Sequence, residues 1–272
     1  MTNDRQLGLR IADREAKRIN KRFGVRAASH IKVRAYAAAF GVKLIESKLD
    51  GALARLKPGP EPIIRVSDRC SDPGELEFSI AHELGHHLLV HAPARVSALC
   101  KDIAGVRPVR AGTTRHAEAE ANTFSAGVCM PSELLDGPIA SAIPSLDFVR
   151  RYIATEYTMS MMASAIRFAE LSPERCAALY AEAGKVVWCV RSSTFAWRIE
   201  RGHRLDAASV AVDFFTRRKL DECSQPVPAD AWISTDADVE IVEHSVVVPR
   251  GTGVLTLLWV PEAAAEAIDD AD

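Results

Sequence analysis

Residues 78–91 read FSIAHELGHHLLVH, four histidines and a glutamate set into an otherwise apolar segment. Just upstream, Asp72 is placed to cap a helix, Pro73 fits its first position, and Glu75 meets the positive end of the helix dipole. The pattern predicts a helix from Pro73 to about His91. Leu76, Phe78, Ile80, Ala81, Leu84, Leu88, Leu89 and Val90 cover most of its circumference, as expected for a helix buried inside a domain. Burial makes its polar residues costly, at about 1–3 kcal/mol for each group left without a partner.

A shared ion removes that cost. Positions i and i+4 differ by about 40° around a helix, so His82 and His86 project side by side and can ligate one metal. Glu83 is turned by about 100°, which suits a general base for a nearby water better than a third ligand. With eight histidines in 272 residues, an H-E-x-x-H pattern arises by chance about one or two times in a hundred. His87 and His91 are read as outer-face residues.

Catalytic zinc commonly takes three protein ligands. The extension H-E-x-x-H-x-x-G-x-x-H fails here, because Leu89 and Ala92 stand where glycine and histidine are needed and His91 is one position out of register. The next helical segment, RHAEAEANTFSAGVCM, offers Glu118 and Glu120, about 200° apart on a helix and so unable both to face the ion. Glu118 is favoured because Asn122, Ser125 and Cys129 on its face permit close packing. Glu120 reads as a solvated helix residue, and Asn122, one turn beyond Glu118, reads as a hydrogen-bond partner for a ligand histidine. Tyr152, Tyr157, Arg115 and His116 are the candidates to stabilise an oxyanion.

Bulk composition excludes several classes. A net charge of −2, from 34 basic and 36 acidic residues, argues against a polyanion-binding protein. No leader-like h-region and no run of 18 apolar residues is present, which predicts a cytoplasmic protein with no membrane association. Six scattered cysteines with no C-x-x-C pair read as reduced thiols.

Around the histidine helix, apolar spacing predicts helices at about Asp4–Phe23 and Ser29–Phe40, the second ended by Gly41. The segments VKLIE, ALARL and IIRVS predict a small antiparallel sheet. After the loop from about Ala92 to Thr114 and the helix ending at Pro131, further helices are expected at Leu146–Glu156, Met159–Leu171 and Pro173–Ala183. β-like runs follow from Gly184 to about Pro261, with Trp188, Trp197, Trp232 and Trp259 as core anchors. The pair spanning 146–171 could pass for a helix-turn-helix, but its second helix offers only Arg167 as an exposed basic group, so direct DNA reading is not expected.

AHELGHHLL followed by EAEANTFSAGVCMP resembles the ImmA/IrrE family of metallopeptidases, with Glu118, Ala121, Asn122, Phe124, Met130 and Pro131 at the pattern positions of the second helix and Ser125 where alanine is usual. The resemblance covers roughly Ala35–Pro131 well. It implies an α+β fold with a zincin-like metallopeptidase domain, which the change to β-like texture at Gly184 bounds to residues 1–183, including a helical subdomain at about 140–183. A C-terminal β-rich domain, open to a sensory role by analogy, spans 184–262, and a flexible tail 263–272. It further implies zinc, or manganese, held by His82, His86 and Glu118, with Glu83 as catalytic base. The implied substrate is a cytoplasmic helix-turn-helix (Xre-type) repressor.

Overall fold

The computed structural model describes residues 3–70, 72–90, 113–248 and 252–271. The chain is α+β and divides into two compact units, Met1–Leu134 with Thr155–Ser160, and Leu135–Ala154 with Met161–Asp272.

The first unit opens with α1 (Asn3–Arg22), a short 3-10 turn (Ala28–His30) and α2 (Val33–Ala39). Gly41, at φ 74°, ends α2 and turns the chain into β1 (Lys43–Ser47). β2 (Ala54–Lys57) and β3 (Ile63–Ser67) complete a three-stranded sheet in the order β1-β3-β2. The sheet is mixed rather than antiparallel as expected: β2 and β3 form a hairpin, while β1 runs parallel to β3. The chain reverses once into β2 and again into β3, so β3 regains the direction of β1, and β2 is an edge strand among the described residues.

Register fixes what that edge presents. Ser67 N–H donates to Leu53 O at 2.8 Å, so Leu53, Arg55 and Lys57 turn their backbone groups toward β3. The N–H and C=O of Ala54 and Leu56 therefore point away from β3, and both residues are buried.

α3 (Pro73–Leu88) begins as the sequence predicts, with Asp72 Oδ1 accepting from Gly74 N at 2.8 Å and Glu75 N at 3.1 Å. Ser79 through His86 are all buried. α4 (Thr113–Cys129) packs against it in the opposite sense, and α1 packs on α4, where Asn20 Nδ2 donates to Gly127 O at 2.8 Å.

In the second unit a short helix α6 (Leu146–Phe148) runs into a π-helical stretch (Val149–Thr155); between the units' first segments lies α5 (Ser132–Ala140). α7 (Met161–Leu171) packs on a fully antiparallel sheet of order β5-β4-β8-β7-β6. Its strands are β4 (Cys176–Glu182), β5 (Lys185–Arg191), β6 (Ser224–Pro228), β7 (Glu240–Val247) and β8 (Gly253–Trp259), with α8 (Val212–Arg217) between β5 and β6 and α9 (Glu262–Ala271) at the end.

Several expectations are corrected here. The helix expected at Pro173–Ala183 is β4, paired on one side with β5 and on the other with β8; sheet burial overrides the helix preference of its alanines. The domain boundary expected at Gly184 falls in the turn of the β4–β5 hairpin, where Gly184 has φ 71°. The tail expected to fray at 263–272 forms α9, which buries Ala264, Ala265 and Ile268 in the same core as Trp232. Within the region from Gly184 expected to hold β-like runs, Val212–Arg217 is helical, and β6 has too many prolines to read as a strand, which its position at a sheet edge accommodates. Arg167, expected to be exposed, is buried on α7 and pairs with Glu170 at 3.5 Å. No helix among the described residues is long and apolar enough to cross a membrane.

Candidate metal centre

α3 and α4 bring His82, His86 and Glu118 into one buried cluster. The two imidazole Nε2 atoms lie 3.0 Å apart, Glu118 Oε2 is 3.2 Å from His82 Nε2, and Glu118 Oε1 is 3.3 Å from His86 Nε2. Tetrahedral zinc with ligand bonds of about 2.0–2.1 Å holds its ligand atoms about 3.3 Å apart. The three side chains thus stand at separations such an ion would set.

Proton placement points the same way. His82 Nδ1 is 2.9 Å from Asn122 Oδ1. With that oxygen accepting, the proton sits on Nδ1, and the Nε2 lone pair faces Glu118 and His86. Glu118 Oε1 is buried and accepts no hydrogen bond. Lone pairs converging in a dry site repel unless a cation sits among them, so the residues fit a divalent ion. Burial pushes the Glu118 carboxyl up, but its close contacts with the His82 and His86 rings outweigh it and hold it at about 2. Glu118 is therefore a carboxylate across the physiological range.

Glu83 is fully buried beside this cluster in sequence, and its Oε2 accepts from Leu56 N–H at 2.8 Å. The Leu56 amide of β2 thus fixes the carboxylate that the sequence singled out as a base. Nothing in the sequence marks Leu56 for this role, since the donor is a backbone group whose direction follows from strand register. Gly85 lies where α3 meets α4: a Cβ there would stand 2.9 Å from Phe124 Cδ1 and 3.4 Å from Ala121 Cα.

The remaining sequence candidates are placed as follows. Glu120 is half-buried and packs toward α1, where a side chain at Gly8 would run into its carboxylate, so it is not the solvated residue expected. His87 and His116 are half-buried. Tyr157 lines a cavity with Glu77 and Cys129, and Tyr152, half-exposed, stacks on Phe148 within the second unit. His91 and the Arg115 side chain lie outside the described residues.

A two-helix site of two histidines and a glutamate, set beside a small mixed sheet, defines a zincin-like domain. The family model of the IrrE N-terminal-like domain, Peptidase_M78, matches residues 37–169. A solved structure of a Mycobacterium tuberculosis transcriptional regulator is similar in fold, with a TM-score of 0.59 at 14% identity over 94% of this chain and 90% of that one. No curated protein matches the sequence.

Proposed function

We propose that the protein is a zinc-dependent endopeptidase that cleaves a cytoplasmic helix-turn-helix (Xre-type) repressor and so relieves repression of stress-response or mobile-element genes. The observation that carries the peptidase reading is the convergence of His82, His86 and Glu118 with Glu83 held by the Leu56 amide of β2. The repressor substrate rests on the family resemblance.

A divalent ion in this cradle would supply Lewis acidity, polarising a peptide carbonyl and bringing the pKa of water to about 7. The chain's residues provide the rest. His82, oriented by Asn122, and His86 and Glu118 hold the ion. Glu83 takes the proton from the attacking water and returns it to the leaving amine.

The test uses purified full-length protein with zinc and a candidate helix-turn-helix repressor, with fragments read by mass spectrometry. Glu83→Gln is expected to keep about one metal per chain and to lose cleavage. Cleavage surviving that change would refute Glu83 as the base. One observation favours a second reading, a non-proteolytic regulator that binds a repressor through its metal domain: Glu83 is fully buried and already engaged by Leu56 N–H. Under that reading, Glu83→Gln leaves repressor binding and derepression unchanged.

A further inference from the structure

Away from the ligand cluster, toward the start of α3 and the end of α4, four parts of the first unit line an open cavity of about 440 Å³. That volume lies within the range of about 300–1,000 Å³ typical of small-molecule sites. Glu77 on α3 precedes His82, and Cys129 on α4 follows Asn122, by about one to two helical turns, so the cavity is about 8–10 Å along the helix pair from the cluster.

Its lining has two characters. Val33 and Cys129, both buried, and half-buried Met159 supply an apolar surface. Burial, reinforced by Glu77, pushes the Cys129 thiol up, so it remains neutral and behaves as a small apolar group. Lys32, Glu77 and Glu156 supply charges of both signs. Glu77 is fixed by Arg34, whose Nε donates to it at 2.7 Å. The wall at 157–159 is set by close approach of backbone: a side chain at Gly74 would run into the Thr158 carbonyl, and Thr158 itself adopts φ 53°. A non-glycine residue in that region costs about 1–3 kcal/mol and persists only where packing imposes it.

We propose that this cavity binds a short zwitterionic peptide with an apolar side chain. The side chain packs on Val33, Cys129 and Met159, the ammonium pairs with Glu156 and Glu77, and the carboxylate pairs with Lys32. The site is separate from the metal cluster and does not depend on peptidase activity.

The experiment is isothermal titration of the full chain, stripped of metal by a chelator, with the dipeptide Leu-Leu. Saturable 1:1 binding in the range of about 0.1–1 mM is expected. Lys32→Glu and Glu156→Lys, each on an exposed residue, should weaken it about five- to tenfold, and so should blocking both termini of the peptide. Restoring zinc to the Glu83→Gln protein should leave the affinity within twofold. Circular dichroism melts of both cavity variants should match the parent, which separates lost binding from lost folding. No saturable heat at 10 mM, or equal binding of the blocked peptide, or binding untouched by either charge reversal, would each overturn the proposal.

Discussion

Replacing Gly85 with alanine tests how tightly the helix interface sets the metal site. The added Cβ would stand 2.9 Å from Phe124 Cδ1, 3.3 Å from Cγ and 3.4 Å from Ala121 Cα. Carbon atoms pack best at about 3.5–4.0 Å, so ring or helix must yield by about 0.6–1 Å. Phe124 is fully buried, and a ring in a close-packed interior has little room to turn aside. The strain therefore passes to the spacing of α3 and α4. Alanine gains about 1 kcal/mol over glycine in a helix interior, while overpacking costs about 1–3 kcal/mol. The net loss of stability is about 0–2 kcal/mol. Metal affinity should suffer more, because the ligands sit on both sides of that interface and tolerate only about 0.2 Å of error. A fall of at least about tenfold in zinc affinity, or about 1.4 kcal/mol, is expected. Zinc competition with a chelator measures the affinity, and urea unfolding of the metal-free protein measures the stability. Phe124→Leu in the same chain should recover part of the affinity. A folded Gly85→Ala protein that binds zinc within twofold of the parent would refute the claim that this contact sets the site.

Asn122→Ala should weaken zinc binding by about tenfold, at the low end of the effect of removing such a partner, because Asn122 is exposed and water can take its place on His82 Nδ1. Asn122→Asp keeps an acceptor and should retain most of the affinity, as the same chelator competition would show. Glu243, fully buried, accepts from Ala211 N at 2.7 Å, Trp232 Nε1 at 2.7 Å, Ser245 Oγ at 2.8 Å and Val210 N at 3.1 Å. Glu243→Gln turns an amide NH₂ toward two of these donors and should cost about 2–4 kcal/mol in urea unfolding. His244 Nδ1 accepts from Leu146 N–H at 3.2 Å and lies 3.0 Å from Ser224 Oγ, and burial lowers its pKa despite Asp147 nearby. The unfolded chain takes up that proton first as pH falls below about 6.5, so the stability His244 provides is present above that pH and is lost toward its lowered folded value. Comparing unfolding at pH 7 and pH 5 should give a drop that His244→Asn removes; an equal drop in the variant would place the titration elsewhere.

How much the sequence reveals differs between the two units. In the first, the helix carrying His82 and His86 is legible because its cap, proline and apolar spacing all act within a few residues of one another. Glu118 and Asn122 are legible for the same reason, as helical geometry ranks positions on one face. The Leu56 amide that holds Glu83 is not, because its direction depends on pairing between β2 and β3. In the second unit, β4 reads as a helix from its alanines until its two partner strands are present. α9 reads as a frayed tail until there is a core to receive Ile268.

Local chemistry in the sequence therefore determined which side chains could cluster as metal ligands: side-chain types at helical spacing need only the helix to become neighbours. Tertiary structure decided how close the two helices come at Gly85 and Phe124, where the edge of β2 meets Glu83, and whether alanine-rich segments fold as strand or helix. Each of these depends on atoms far apart in the chain. Non-local packing and backbone pairing outweigh the fraction of a kcal/mol per residue by which intrinsic propensities differ.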